Sequence, residues 1–520
     1  MILIVSSNPQ GEPRFQVNEG LSTQQVFGVD VVASRNAVID GATLGYPREA
    51  LDRVPAGEYT VQAVLNIYET FHRADGRTLK LPMDQGEGQH WNRKPGNLYS
   101  TPQKAALDPA KSSTIRVALN KTIPPIEAPK DTKYIKHVRI QSKLLSDFWG
   151  RPMYLGAVVL LPEGFDEHPD AHYPVMFRQG HFAATFNGFR TERNTAGGRG
   201  GGATTIDYAY KFYQDWTSGR LPHMLIVTTQ DANPYYDDSY AVNSANLGPY
   251  GDALTTELYP YVEKTFRAIG QPWARVLYGG STGGWEALAQ QVFHPDYFNG
   301  AWVACPDPID FHAYALTNLY EDQNAFYANS AWKRVPQPMQ RTTDGRITSV
   351  MEDAIRFELV IGTNGRSAEQ YDIWQAVFGP VGEGGYPKQI FDPRTGAIDR
   401  KVAEYWKEHY DLNYIMQRDW KTLGPKLVGK LHFAVGDADN YYLDRAVRLT
   451  EKFLESTKEA GKGPYYGGTF EYGAGAGHGY SGGPPGPEAT GTIHQRLMPV
   501  MLDHMLKTAP PGADIKSWRY

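Results

Sequence analysis

Residues 274–289 read ARVLYGGSTGGWEALA and place a serine among glycines between an apolar run and a helix-forming segment. The apolar run at 276–278 predicts a strand, the glycine-rich segment around Ser281 predicts a tight turn, and residues 285–291 predict a helix. In a G-x-S-x-G turn between a strand and a helix, the serine sits on a strained backbone that pushes its hydroxyl into the open. The N–H groups of the first helical turn point to the same place and stabilise negative charge there. The pattern therefore predicts that Ser281 is a nucleophile.

Length and composition limit the classes of protein that the chain can belong to. Its 520 residues suggest two domains, or one large domain with insertions. The net charge of −5 provides no basic surface for a phosphate backbone, so we expect no nucleic-acid partner. No apolar run approaches the roughly 20 residues of a membrane span, so we expect a soluble protein without a membrane partner. The single cysteine, Cys305, excludes an internal disulfide.

The first residues, MILIVSS, lack the basic start and the longer apolar region of a signal peptide. We therefore expect either a cytoplasmic protein or an exported one whose leader has been removed, with Met1 in its place. The sequence pattern indicates no particular oligomeric state.

The first 122 residues predict a β-rich, sandwich-like domain. Apolar and polar residues alternate over 59–68 and again, more briefly, over 114–119, which is the pattern of half-buried strands. Residues 123–133 begin with Ile-Pro-Pro-Ile and predict a stiff linker, because proline fixes the backbone and removes a donor. The remaining residues, 134–520, then form a second domain.

Strand and helix patterns alternate in this second domain. Strands are predicted at 134–140, 153–161, 173–177, 225–229, 276–278, 300–304, 430–435 and 469–472. Such alternation predicts the α/β class, with a mainly parallel sheet covered by helices on both faces. A segment rich in tryptophan and tyrosine interrupts the pattern over about 311–427. An insertion of this size between two strands predicts a cap over an active site.

A serine nucleophile needs a base to take its proton and an acid to hold that base. His478 follows the last predicted strand in a glycine-rich turn, which favours it as the base. Asp439, after the strand that ends near Val435, is the favoured acid. Asp437 and Asp307 are alternatives, because each also follows a predicted strand.

Six motifs carry a resemblance to a known family. They are LLPEGF at 160–165, YPV at 173–175, GGSTGG at 279–284, HPDYF at 294–298, GDAD at 436–439 and GH at 477–478. As an ordered set they resemble the putative esterase (esterase D-like) family of α/β-hydrolases, which includes feruloyl and acetyl-xylan esterases. The resemblance covers about 134–506 apart from the insertion. It implies an α/β-hydrolase fold with Ser281 as nucleophile, Asp439 as acid and His478 as base.

The resemblance also implies an oxyanion hole made by the backbone N–H groups of Thr282 and Phe182. The chain departs from the family at 180–181, where it has Gly-His in place of the usual His-Gly. Three further residues at the carboxyl edge of the sheet are candidates for substrate contact: His181, Trp285 and Tyr441.

Together these patterns predict a serine carboxylic-ester hydrolase that works through an acyl-enzyme. No H-E-x-x-H motif or C-x-x-C pair is present, so we expect neither a metal nor an organic cofactor. The expected substrate is a small or polysaccharide-linked ester, such as a feruloyl or acetyl ester. The alternatives are an acyltransferase or serine peptidase on the same fold, or a carbohydrate-binding protein that keeps the fold without activity.

Overall fold

The structure, a computed structural model, describes residues 1–32, 36–88, 90–111, 114–181, 186, 188–194, 206–330, 332–484 and 491–520. Every helix in these ranges is too short or too polar to cross a bilayer.

The described part of the first 122 residues forms nine strands. They are β1 (Ile2–Ser6), β2 (Gln25–Gly28), β3 (Gly45–Tyr46), β4 (Gly57–Leu65), β5 (Glu69–His72), β6 (Thr78–Leu81), β7 (Leu98–Ser100), β8 (Gln103–Leu107) and β9 (Leu119–Thr122). Seven of them make one antiparallel sheet in the order β3-β2-β1-β4-β7-β9, with β8 also paired to β4. The separate hairpin β5–β6 packs through Phe71 against Trp149. The region is β-rich, as predicted, but the strand expected at 114–119 is wrong, because only Leu119 belongs to one.

The elements that follow are strands and helices, which lie on both sides of Ser281 along the chain. They are β10 (Ile135–Ser142), α1 (Lys143–Trp149), β11 (Met153–Leu160), β12 (Val175–Gln179), α2 (Tyr208–Thr217), β13 (Leu225–Gln230), β14 (Asn243–Ser244), β15 (Gly248–Pro249), α3 (Tyr250–Ala253), α4 (Tyr259–Thr265), β16 (Arg275–Gly280), α5 (Thr282–Phe293) and β17 (Ala301–Ala304). A π-helical turn, Leu254–Leu258, joins α3 to α4.

The predicted insertion lies between β17 and the next sheet strand. It contains β18 (Tyr327–Ala328), β19 (Val335–Pro336), β20 (Pro338–Arg341), β21 (Ile347–Val350), α6 (Met351–Ile361), α7 (Gln370–Phe378), α8 (Arg400–Tyr410) and α9 (Leu412–Leu427). The chain then completes the sheet with β22 (Leu431–Gly436), α10 (Asp444–Ser456), β23 (Thr469–Gly473) and α11 (Ile493–Thr508).

The second domain is built on one eight-stranded sheet in the order β10-β11-β13-β12-β16-β17-β22-β23. Pairing is antiparallel at β10–β11 and β11–β13 and parallel at every other pair. The central strands are buried almost continuously, which shows that both faces are covered, because successive side chains of a strand point to opposite faces. This is the α/β-hydrolase fold, and the prediction of a mainly parallel sheet is confirmed.

Helix α6 covers one face of the N-terminal sheet. Ile2 and Ile4 of β1 share a buried apolar cluster with Phe357 and Val360 of α6. The backbone of the two parts is so close that a Cβ on Gly28 would lie 1.7 Å from the carbonyl oxygen of Val360. On this face of the N-terminal sheet the packing partner is a helix from the insertion rather than a second sheet.

Candidate active site

Ser281 lies on a sharp turn between β16 and α5. Its backbone angles, φ 57° and ψ −122°, belong to a region that residues with a Cβ rarely adopt. Two glycines permit the turn. A Cβ on Gly279 would lie 1.9 Å from the carbonyl oxygen of Gly283, and a Cβ on Gly283 would lie 2.2 Å from that of Gln179 in β12. The strained serine therefore depends on close backbone packing between the turn, α5 and the sheet.

This packing gives a stability prediction with an internal control. We expect Gly283→Ala to destabilise the fold by about 3 kcal/mol, because its methyl group meets backbone atoms that cannot rotate away. Gly280→Ala is the control, since a Cβ there would make only ordinary contacts, the nearest at 3.8 Å to Ala304. We expect it to cost less than about 1 kcal/mol. Denaturant unfolding measures both, and equal losses would contradict the packing argument.

The side chains of Ser281, His478 and Asp439 form a continuous chain of hydrogen bonds. Ser281 Oγ lies 3.0 Å from His478 Nε2, and His478 Nδ1 lies 2.9 Å from Asp439 Oδ2. Asp439 follows β22 and is fully buried, while the His478 side chain keeps 22% of its surface exposed. The backbone N–H groups of Tyr441 and Leu443 donate to Asp439 Oδ1 at 2.8 and 3.2 Å and fix the carboxylate.

The carboxylate of Asp439 affects the pKa of His478. Burial by itself lowers the pKa of His478, but the hydrogen bond and the negative charge of Asp439 outweigh burial and raise that pKa above its ordinary value of 6.5. The backbone N–H of His478 donates to Asn440 Oδ1 at 2.8 Å, which ties the loop after β23 to the loop after β22. The imidazole is thus both oriented and made more basic by the acid loop.

The two alternative acids occupy different places. Asp437 is exposed, and its Oδ1 accepts a hydrogen bond from the backbone N–H of Gly475 at 2.7 Å. Asp307 is buried, but its Oδ1 lies beside the serine itself, 3.3 Å from Ser281 Oγ. Burial raises the pKa of the Asp307 carboxyl above its ordinary value of 3.8.

The region expected to bind an oxyanion is described only in part. Thr282 is the first residue of α5, so its N–H belongs to a helical turn whose donors have no acceptor within the helix. Phe182 lies outside the described residues. His181 Nε2 lies 3.3 Å from Thr282 Oγ1, which places this imidazole next to the turn.

His181 is held by two carboxylates. Its Nδ1 lies 3.3 Å from Asp237 Oδ1 and 3.2 Å from Asp238 Oδ2. Burial lowers the pKa of His181, but the two carboxylates outweigh burial and raise that pKa well above 6.5. A positive imidazole beside Thr282 favours negative charge at that position.

Of the other two residues expected to contact the substrate, one lies beside the site and one does not. The ring of Tyr441 packs edge-on against His478, with ring centroids 4.9 Å apart. Trp285 is fully buried and packs against Tyr240 and Phe378. This interior position does not fit a substrate contact, so the expectation for Trp285 is corrected to a packing role.

Sequence reasoning missed the contacts through which the insertion reaches the site. Arg341 of β20 donates through Nε to the carbonyl oxygen of Asp439 at 3.0 Å. Trp374 of α7 donates through Nε1 to the hydroxyl of Tyr240 at 2.5 Å, and Tyr240 donates to Asp307 at 2.7 Å. No spacing or motif marks these residues, because each comes from a different part of the chain.

Two groups of side chains have the composition of a metal site. They are His181 with Asp237 and Asp238, and His312 with Asp310 and Asp411, and within each group the candidate ligand atoms lie within 4.8 Å of one another. In both groups the imidazole already pairs with a carboxylate of the same group. Each arrangement is therefore accounted for as an ion pair.

Comparison with known proteins matches part of the second domain to a family model. A family model described as Putative esterase matches residues 155–355, which include Ser281. The chain contains a putative esterase domain. The predicted resemblance to this family is thereby confirmed, and the matched range contains the four motifs at 160–165, 173–175, 279–284 and 294–298. No curated protein sequence matches the chain.

Solved structures similar to the chain include three hydrolases. A ferulic acid esterase has 16% identity and a TM-score of 0.37, covering 72% of this chain and 99% of its own. An S-formylglutathione hydrolase from Agrobacterium tumefaciens has 11% identity and a TM-score of 0.34, with coverages of 72% and 97%. FphF, a fluorophosphonate-binding serine hydrolase of Staphylococcus aureus, has 12% identity and a TM-score of 0.33, with coverages of 71% and 98%. Similarity at this level carries no conclusion about the substrate of this chain.

Proposed function

We propose that this protein is a serine carboxylic-ester hydrolase in which Ser281 is the nucleophile, His478 the general base and Asp439 the acid. The observation that carries the proposal is the hydrogen-bond chain of 3.0 and 2.9 Å that ends at the strained serine of the putative esterase domain. A serine becomes nucleophilic when a base removes its proton, and the base must present the right nitrogen. Asp439 imposes this arrangement on His478.

The reaction proceeds in two halves. Ser281 Oγ attacks the ester carbonyl while its proton moves to His478 Nε2, and the resulting intermediate expels the alcohol, which takes that proton. Water then gives a proton to His478 Nε2 and attacks the acyl-enzyme. Collapse of the second intermediate returns the proton to Ser281 Oγ and releases the acid.

The negative oxygen of each intermediate needs donors that are already in place. We assign this task to the backbone N–H groups of Thr282 and Phe182, with the positive imidazole of His181 adding to the local potential. The N-terminal turn of α5 contributes in the same sense, because its unpaired N–H groups carry partial positive charge.

For the substrate we propose an ester of a carbohydrate or of an aromatic acid, with feruloyl and acetyl esters as the first candidates. The exposed edge of His478 lies beside the ring of Tyr441, and an aromatic face binds a flat acyl group or a sugar ring over a large apolar area. A site for long aliphatic chains would instead need a broad aliphatic surface.

The substrate proposal is tested by kcat/KM on methyl ferulate, acetylated xylan and p-nitrophenyl esters with two to sixteen carbons. We expect turnover of at least one of the first two and a maximum among short p-nitrophenyl esters. A maximum at the longest chains, with neither natural-type ester hydrolysed, would reject the proposed substrate class. Transfer of the acyl group to added glycerol in preference to water would instead indicate an acyltransferase.

The pKa of His478 gives a prediction for the acid side of the pH profile. His478 must be neutral to take a proton, and its pKa in the folded protein lies above 6.5. We therefore expect kcat/KM for p-nitrophenyl acetate to rise with pH through an inflection above about 6.5, since this ratio reports the free enzyme. An inflection below about 6 would show that Asp439 does not raise the pKa of the base.

A further inference from the structure

Asp307 is a second carboxyl group beside Ser281. It comes shortly after β17 and is only 4% exposed, and its Oδ1 lies 3.3 Å from Ser281 Oγ. The backbone N–H of Asp307 donates to the carbonyl oxygen of Ser281 at 3.2 Å. Both the backbone and the side chain of Asp307 therefore hold the turn that carries the nucleophile.

Two hydroxyl groups donate to the other carboxyl oxygen of Asp307. Those of Tyr240 and Thr282 lie 2.7 and 3.1 Å from Oδ2. The Tyr240 oxygen accepts from the indole N–H of Trp374, which can only donate, at 2.5 Å. Gln370 donates to the same oxygen through Nε2. The Tyr240 hydroxyl therefore donates its own proton, and Asp307 Oδ2 at 2.7 Å is a nearer acceptor than Thr282 Oγ1 at 3.2 Å. Oδ2 thus accepts two hydrogen bonds, which the carbonyl oxygen of a neutral carboxylic acid can do as well as a carboxylate oxygen, and Oδ1 remains the oxygen that can carry a proton.

The serine hydroxyl has one proton and two neighbours that can accept it. In acyl transfer this proton must point at His478 Nε2, 3.0 Å away. An ionised Asp307 Oδ1 would then face a lone pair of Ser281 Oγ at 3.3 Å, which is repulsive. A protonated Oδ1 would donate to that lone pair, so every hydrogen bond around the serine would have one donor and one acceptor.

We propose that Asp307 acts as a neutral carboxylic acid that donates from Oδ1 to Ser281 Oγ and so keeps the serine proton directed at His478. This inference rests on the proposed serine hydrolase function. Tyr240 is a positioning residue: it ties Oδ2 to α7 of the insertion and so holds Oδ1 at the serine. The burial that raises the pKa of the Asp307 carboxyl acts in the required direction.

The groups around Asp307 decide how readily it loses its proton. Burial favours the neutral acid, whereas the hydrogen bond from Tyr240, the imidazoles of His181 and His478 and the hydrogen bond from Thr282 favour the ionised carboxylate. Other described groups that interact electrostatically with Asp307 are uncharged at neutral pH, because burial raises the pKa of each: the thiol of Cys305 and the phenols of Tyr236, Tyr240, Tyr314, Tyr371 and Tyr441. The active form is therefore lost as pH rises through the pKa of Asp307, which adds an alkaline limb to the profile.

Asp307→Asn tests the proposal because an amide reproduces the neutral acid. Its carbonyl accepts from Tyr240 and Thr282, and its N–H donates to Ser281. We expect kcat on p-nitrophenyl acetate within about tenfold of wild type, and a kcat/KM profile that lacks the alkaline limb given to the wild type by loss of the Asp307 proton. Asp307→Ala lacks both groups, and we expect it to lower kcat at least about 100-fold with little change in KM.

Two results would overturn the neutral acid. One is an Asp307→Asn variant as impaired as Asp307→Ala while both melt near the wild-type temperature. The other is an Asp307→Asn variant whose pH profile of kcat/KM matches that of the wild type over the whole range. If Asp307→Ala does not fold, the comparison of these two profiles is sufficient by itself. Fluorophosphonate labelling separates this inference from the proposed function, since unlabelled wild-type protein would reject the serine hydrolase itself.

Tyr240→Phe tests the positioning role, with Tyr235→Phe as the matched control. Both tyrosines are fully buried in the same loop, but the Tyr235 hydroxyl has no hydrogen-bond partner among the described residues. We expect Tyr240→Phe to lower kcat about tenfold at unchanged KM and to add little further loss in an Asp307→Ala background, because the two residues act as one unit. Wild-type kcat in both phenylalanine variants would remove Tyr240 from the proposal.

Discussion

Ser281→Ala is expected to lower kcat for p-nitrophenyl acetate by about 10⁵-fold, because removal of a serine nucleophile leaves only the oxyanion donors and substrate binding to accelerate the reaction. Steady-state hydrolysis measures the loss. The melting temperature should stay near the wild-type value, since alanine keeps a Cβ and therefore the same backbone strain at φ 57°. Activity within about tenfold of wild type in a folded variant would exclude Ser281 as the nucleophile.

Asp439→Asn is expected to lower kcat by about 10⁴-fold. An amide cannot stabilise the imidazolium that forms when His478 takes the proton, and its N–H group favours the wrong tautomer of the imidazole. The structural change is small, because Asn can still accept the backbone hydrogen bonds from Tyr441 and Leu443. The measurement is kcat on p-nitrophenyl acetate at a pH on the plateau of the wild-type profile.

Asp437→Asn is the matched control for this variant, since the two acids are two residues apart on one loop and one of them is exposed. We expect its kcat to stay within about threefold of wild type, because its carboxylate contacts only the backbone N–H of Gly475 in the described structure. A large loss of kcat in Asp437→Asn together with a small loss in Asp439→Asn would show that Asp437, rather than Asp439, is the acid that holds His478.

The local structure around the serine was predictable because its signals are local. The predicted strand at 276–278 lies inside β16, and the helix pattern at 285–291 lies inside α5. Strand order along the chain also placed Asp439 and His478 on loops at the same sheet edge, since parallel strands end on one side.

What the sequence could not supply was the identity of distant packing partners. Alternation over 59–68 indicated a buried sheet face, but it could not show that Phe357 and Val360, nearly 300 residues later, would cover that face. Trp285 was misjudged for the same reason. Helix α5 is buried on all sides because elements of the insertion pack on it, so its position in the sequence gave no sign of which side chains reach a cleft.

The contacts of Asp307 were equally hidden. The sequence presented it as a third candidate for the acid, since it follows a strand as Asp439 does. Its neighbour Tyr240 lies in a loop at φ 59°, and the Tyr240 oxygen accepts a hydrogen bond from Trp374 of the insertion. Three segments far apart in sequence meet at this carboxyl group, and only the fold brings them together.

The proposed mechanism requires that Ser281 carries an acyl group during ester hydrolysis. The most direct test is rapid quenching of the reaction with p-nitrophenyl acetate in acid, followed by peptide mass spectrometry of the wild type and of Ser281→Ala. We expect one acetyl group on the wild-type peptide that contains Ser281, and none in the variant. Turnover of the ester with no acyl group on Ser281, or with the acyl group on another residue, would contradict it.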